Sequence, residues 1–158
     1  MRALVGTPVI DSPANDGLRR RFEPRLKPGM PLIASPDQVA RPYEALGTHP
    51  DLIARLWDEL PVRLPIDCRA VFCGTPVLMH PETGVVFGFA GGTHTYALRL
   101  PEPERATAID AGAKRIQHYP ARQPSFDLND IGPEWVFCAW LRDEEAWCLA
   151  AYQHAGAG

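Results

Sequence analysis

Cys68 and Cys73, with His80 close behind, come nearest in this 158-residue chain to a metal-ligand spacing. Two thiolates and an imidazole can hold zinc, but structural zinc sites are built from closely spaced ligand pairs. No C-x2-C pair is present, and the separation of Cys138 from Cys148 matches no common zinc knuckle. The expectation is no metal, no cofactor and four reduced thiols packed as small apolar side chains. Nucleophilic catalysis is the second chemistry. Cys73 precedes Gly74 at a turn, where a thiol could sit beside a backbone donor, with a base drawn from His80, His94 or His118. Such a thiol must have its pKa lowered by its surroundings. Cys73, His80 and His94 are therefore the catalytic candidates. The alternative makes Cys73 a small apolar residue at a strand end and His94 a hydrogen-bonded side chain closing a hairpin. Arg99 offers a third chemistry. On a face of Gly, Ala and Thr residues it could grip a carboxylate or phosphate, with Thr95 and Tyr96 completing a ligand-binding set. A salt bridge to Glu102 or Glu104 is the competing reading.

Other chemistries are excluded by what they would need. The three serines, at positions 12, 35 and 125, lie in no G-x-S-x-G elbow, which argues against a serine hydrolase of that type. Gly84, Gly88, Gly91 and Gly92 fall in hairpins and not before a helix, so neither phosphate-binding glycine loop applies. Arg19, Arg20, Arg21, Phe22, Arg25 and Lys27 could track a nucleic-acid backbone. The net charge of −3 argues against that use. Asp143, Glu144 and Glu145 read as the acidic first turn of a helix.

These residues have to be carried by a fold, and the composition allows one. Apolar residues make up 46% and charged residues 22%, enough for a single packed core. No run reaches the length of a membrane span. Residues 1–11 make a poor signal peptide, broken by Gly6 and Pro8, so a cytoplasmic location is expected. Residues 1–34 carry five prolines and a net charge of +3, and read as an extended basic arm. Residues 35–158, with a net charge of −6, read as one domain across which the arm could lie.

Within that domain, Ser35-Pro36-Asp37-Gln38 carries a capping box and predicts a helix through Val39, Tyr43 and Leu46, kinked at Pro42 and ended by Gly47. A second helix starts at Pro50, presents Leu52, Ile53, Leu56, Trp57 and Leu60, and stops at Pro61. Strands follow at 69–73, 77–80, 85–89 and 94–100, with hairpins at 81–84 and Gly91-Gly92. The turns predict that His80 pairs near Val85 and Phe89 near His94. One face then collects Leu78, Val85, Phe87, Phe89, His94, Tyr96 and Leu98 as core. The other, with Val77, Met79, Val86, Gly88, Ala90, Thr95, Ala97 and Arg99, is smaller and could leave a shallow groove. A helix opened by Glu102-Pro103-Glu104, with Pro at its first position, and closed by Gly112, a further strand at 114–119, a buried strand within 135–141 and a final helix opened by Asp143 complete the pattern.

The run Arg69-Ala70-Val71-Phe72-Cys73-Gly74, then a hairpin, then Tyr96-Ala97-Leu98-Arg99-Leu100-Pro101, resembles the N-terminal domain of the TfoX competence-regulator family. There, a helix precedes an R-x-M-F-G-G strand and a meander ends in Y-L-R-L. The resemblance covers roughly residues 50–112, and Cys73 stands where that pattern has Gly. It implies a regulatory, non-catalytic module and assigns no functional residue. The expectation is an α+β domain, an antiparallel meander of four to five strands between N- and C-terminal helices. Its expected role is as a non-enzymatic binding or regulatory module acting through protein contacts. Nucleic acid and membrane are not expected partners; a homo-oligomer is compatible with the sequence. The alternatives are a small-molecule binder or cysteine enzyme using Arg99, Cys73 and a histidine, and a toxin-neutralising immunity protein.

Overall fold

A six-stranded antiparallel sheet runs through the middle of the molecule and separates two apolar cores. The structure, a computed structural model, describes residues 12–44, 46–91, 95–117 and 126–157. The sheet has the order β1-β2-β3-β4-β5-β8, built from β1 (Ile33–Ala34), β2 (Arg69–Phe72), β3 (Thr75–Met79), β4 (Val86–Gly91), β5 (Thr95–Arg99) and β8 (Trp135–Cys138). Two short strands, β6 (Ile116–Gln117) and β7 (Phe126–Asp127), pair with each other. The α+β class and the central meander agree with the sequence reading. The sheet has two more strands than the lower expectation, because Ile33–Ala34 adds to one edge and Trp135–Cys138 to the other.

Helices cover both faces. On one lies α2 (Pro50–Ala54), which continues through a π-helical turn (Arg55–Glu59) and a 3-10 turn (Leu60–Arg63), together with the C-terminal helix α4 (Glu144–Gly156). Leu52, Leu56 and Trp57 of the first, and Trp147, Cys148 and Ala151 of the second, pack against Leu78, Phe87, Leu98 and Val136 of the sheet. Helix α3 (Glu104–Asp110) follows β5 and is closed by Gly112 at φ 121°. The helix beginning at Pro50 breaks at Pro61 as its sequence predicts: φ −85° and ψ 19° there are non-helical, and the turn Leu60–Arg63 lies across that kink.

The second face overturns two expectations. Residues 12–34 do not form an extended arm. Pro13–Asn15, α1 (Asp16–Phe22) and Glu23–Arg25 are helical turns lying on the sheet. Leu18 and Phe22 of α1 are buried against Val77, Met79, Val86, Phe89 and Trp135. Burial of two such side chains contributes roughly 1.5–3 kcal/mol each, enough to outweigh the mobility of a terminal segment. Asn15 fastens the start of the helix: its amide donates to the Gly84 carbonyl at 2.8 Å and its oxygen accepts from the Val86 amide at 2.9 Å. Residues 1–11 lie outside the described residues.

The face once read as small is instead aromatic, and a bulge is the reason. Val77 pairs with Phe89 and Leu78 with Gly88, but Met79 pairs with Val86, so β4 carries one extra residue. A bulge reverses the alternation beyond it. Phe89 therefore joins the α1 face and Ala90 the other, the opposite of the strict period-two reading. Phe89 pairs with Ala97, not with His94. The predicted pairing of His80 with Val85 is present, through the His80 amide and the Val85 carbonyl at 2.9 Å.

The predicted helix from Ser35 stops after one 3-10 turn, Pro36–Gln38, although its capping box forms. Val39 already leaves the helical region at φ −114° and ψ 126°, and Pro42, which has no amide to donate to the Gln38 carbonyl, cannot carry the helix on.

Candidate functional site

The predicted catalytic residues do not converge. Cys73 and Gly74, at φ 52° and 77°, form the two-residue turn between β2 and β3, and the Cys73 amide donates to the Leu32 carbonyl at 2.7 Å. The thiol is buried, and burial pushes its pKa up to about 11, with Glu23 adding to the shift and Arg19 opposing it. A nucleophilic thiol needs the opposite shift. Cys68, Cys138 and Cys148 are buried free thiols, each pushed up to about 12 by the same desolvation. His80 stands beyond the far end of β3, so the strand separates it from Cys73 by on the order of 20 Å at 3.3 Å per residue. His94 and His118 lie outside the described residues. Among the described residues, no three His, Cys, Asp or Glu side chains are grouped to hold a metal ion.

His80 has a structural role. Its Nδ1 accepts from the amides of Glu82 at 3.2 Å and Thr83 at 3.4 Å, and its ring stacks on Tyr152 at 4.9 Å. Burial lowers its pKa, against a smaller upward pull from Glu82. A depressed folded-state pKa gives stability that is present above the unfolded pKa of roughly 6.5 and is lost as pH falls through the folded value. Urea unfolding at a series of pH values from 7.5 to 4.5 is therefore expected to show falling stability, with a shallower slope in His80→Gln. An identical slope in the variant would show that His80 does not drive the loss.

Arg99, Thr95 and Tyr96 likewise form no common site. Arg99 Nη2 pairs with Glu134 at 2.7 Å, and the same carboxylate oxygen lies 3.3 Å from His154 Nε2. Of the expected partners, Glu102 pairs instead with Arg105 at 2.7 Å. Thr95 is at the other end of β5 from Arg99, near the Cys73-Gly74 turn, and pairs with Gly91. Tyr96 points to the α2 and α4 side, wholly buried, its hydroxyl without a hydrogen-bond partner and its ring 5.9 Å from that of Trp140. Cys73 and Arg99 therefore sit at opposite ends of the sheet, and the expected pocket shared by Arg99, Cys73 and a histidine is not formed among the described residues.

The structure assembles a different site around Cys73. A cleft of about 820 Å³ opens between α1 with its following turn, the β2–β3 turn and the end of β4. Arg21, Arg25 and Lys27 stand along it, and Phe22, Phe89, Phe126 and Phe137 line it below. The four rings form one cluster, with Phe22–Phe89 centroids at 5.4 Å and Phe126–Phe137 at 5.4 Å. The Arg21 guanidinium lies 3.9 Å from the Phe126 ring centroid, a cation–π contact. Its Nε is buried without a hydrogen-bond partner. No Asp or Glu is among the described residues lining the cleft. Glu23, the nearby acid that acts on Cys73, pairs with Arg19 at 3.1 Å.

Each wall follows from local sequence. Asn15 and the close packing of Gly17 against the Ile131 backbone seat α1, and α1 presents Arg21 above Phe22. The bulge in β4 turns Phe89 to this side. Arg115, donating to the carbonyls of Pro133 at 3.0 Å and of Trp135, holds the segment beside β7 that supplies Phe126. Sequence reading found the basic cluster and Phe22. It missed Phe126 and Phe137, whose place depends on contacts across more than a hundred residues.

A second cluster was also missed. Glu144, read as a helix-start acid, is fully buried: it accepts from Arg55 Nη2 at 2.8 Å and from the Leu141 amide. Arg55 also meets Glu59 at 3.1 Å and lies under the half-exposed ring of Trp140, 5.3 Å from its centroid. Burial pushes the Glu144 carboxyl up, against the pull of Arg55 and the Leu141 amide.

Comparison of the chain with protein-family models, with curated proteins and with solved structures gives no match. No residue role comes to this chain from a relative.

Proposed function

We propose that this chain is a non-enzymatic binding module that acts through protein contacts, with the cleft beside α1 as its contact site. The cleft carries the reading. It combines a preformed apolar floor with a few placed polar groups, the composition typical of binding sites. Cys73, the cysteine that lines it, has its thiol pushed up and not down. A small organic anion is a second reading, favoured by the cleft's volume, which falls in the range of small-molecule pockets. Among the described residues no helix is long and apolar enough to cross a membrane.

The test is selection of peptides from a displayed library by the full chain, with Gly91→Trp as the counter-target. Gly91 lines the cleft, and a Cβ there meets nothing within 4 Å, so an indole fills the cleft without forcing the backbone. Enriched peptides that bind the wild type and not Gly91→Trp are the expected result. No enrichment, or peptides indifferent to that substitution, would remove the cleft as the protein-contact site.

A further inference from the structure

We infer that the segment received by this cleft is an extended acidic stretch of a partner protein, with carboxylates flanking an apolar or aromatic anchor side chain. The inference rests on the reading of the cleft as the contact site.

The charges are the first reason. Five arginines elsewhere, Arg19, Arg55, Arg69, Arg99 and Arg105, each stand within 3.1 Å of a carboxylate. Arg21, Arg25 and Lys27 have no ion pair among the described residues, although residues 35–158 carry a net charge of −6. Three cations side by side along one cleft, whose described lining holds no Asp or Glu, form a field complementary to an acidic ligand. Arg21 adds geometry. Phe126 holds its guanidinium at the cleft by a cation–π contact, so a cation is in place there before the ligand arrives.

Spacing supplies the form of the ligand. Arg21 and Arg25 are four residues apart on α1 and its continuing turn, about 6 Å along a helix axis. Side chains at i and i+2 of an extended strand lie on one side about 6.8 Å apart. Two alternate acidic residues therefore match the two arginines. A neighbouring apolar side chain then meets Met30 and Leu46, the more exposed apolar residues that border the cleft. The burial of the cleft's aromatic rings favours a peptide over single-stranded nucleic acid. Phe89, Phe126 and Phe137 are at most 6% exposed, whereas bases stack on open aromatic faces.

The selected peptides provide the test, because their composition was left free. Peptides blocked by Gly91→Trp are expected to be enriched in Glu or Asp at alternate positions beside Leu, Phe or Trp. Replacing those acids with Gln or Asn, or measuring with Arg25→Gln/Lys27→Gln, is expected to weaken binding about tenfold in fluorescence anisotropy, with a comparable loss between 50 and 300 mM salt. Arg25 and Lys27 are exposed, so this variant keeps the fold. Neutral peptides that are still blocked by Gly91→Trp would overturn the acidic ligand and leave the contact site standing. Failure of any peptide to depend on Gly91 would overturn both. Tighter binding of labelled oligothymidine than of any peptide would overturn the inference in favour of nucleic acid, and tighter binding of benzoate or naphthoate would do so in favour of a small anion.

Discussion

Gly17→Ala is expected to cost about 3 kcal/mol of folding stability and to weaken peptide binding at the cleft. A Cβ at position 17 would lie 2.0 Å from the Ile131 carbonyl oxygen and 2.8 Å from the carbonyl carbon and Cα of the same residue. All three are backbone atoms, so no rotamer change relieves the clash, and the helix itself has to move. Helix propensity acts the other way, since Ala in a helix interior is favoured over Gly by about 1 kcal/mol. The steric term must exceed that gain, and overlap with fixed backbone does. If α1 lifts, Leu18 and Phe22 leave the second core and Arg21 leaves its place over Phe126. Urea unfolding and peptide anisotropy on the same preparation read both effects. Gly91→Ala is the control, expected within about 0.5 kcal/mol of wild type because that Cβ meets open space. Wild-type stability in Gly17→Ala would mean that α1 does not pack where Ile131 places it.

Glu144→Ala is expected to be the most damaging change on the opposite face, at about 3–5 kcal/mol. Glu144 has no exposed side-chain surface, and it balances Arg55, whose side chain is 18% exposed. Removing the carboxylate leaves a largely buried guanidinium with only the exposed carboxylate of Glu59 beside it, and its Nε already has no hydrogen-bond partner. It also leaves the Leu141 amide unpaired at the start of α4. The pair itself need not add net stability, because desolvating two charges offsets most of their attraction. Arg55→Met/Glu144→Leu is therefore expected to recover most of the loss. A double-mutant cycle by urea unfolding measures the coupling. A loss below about 1 kcal/mol in Glu144→Ala would contradict the burial of this pair.

Much of the fold was legible because its signals are local. The turn at 81–84, the glycines closing helices and strands, and the stripe from Leu52 to Leu60 each depend on a few neighbouring residues. The class and the meander followed from them. Three features did not, for physical reasons. The β4 bulge depends on how Leu78 and Met79 meet the neighbouring strand, and it inverts the face of Phe89. The 12–34 segment lacks a sustained period, so its helix is revealed only by what Leu18, Phe22 and Asn15 contact. At Ser35 a correct capping box met Pro42, which cannot carry a helix on. The site was less legible than the fold. Cys73 and the basic cluster were both visible, but their meeting over a floor of Phe89, Phe126 and Phe137 is a tertiary event. Glu144 shows the same limit, since an acid in a first helical turn looks identical whether it faces water or a buried arginine.

The most direct measurement of the contact site is an amide-resolved NMR titration of the full chain with the strongest acidic peptide from the selection. The expected result is shifts concentrated at Phe22, Arg25, Gly74, Thr75, Gly91 and Phe126, absent when Gly91→Trp is titrated under the same conditions. Shifts centred instead on Arg55, Trp140 and the start of α4, with the cleft amides unmoved, would contradict the assignment of the cleft as the contact site.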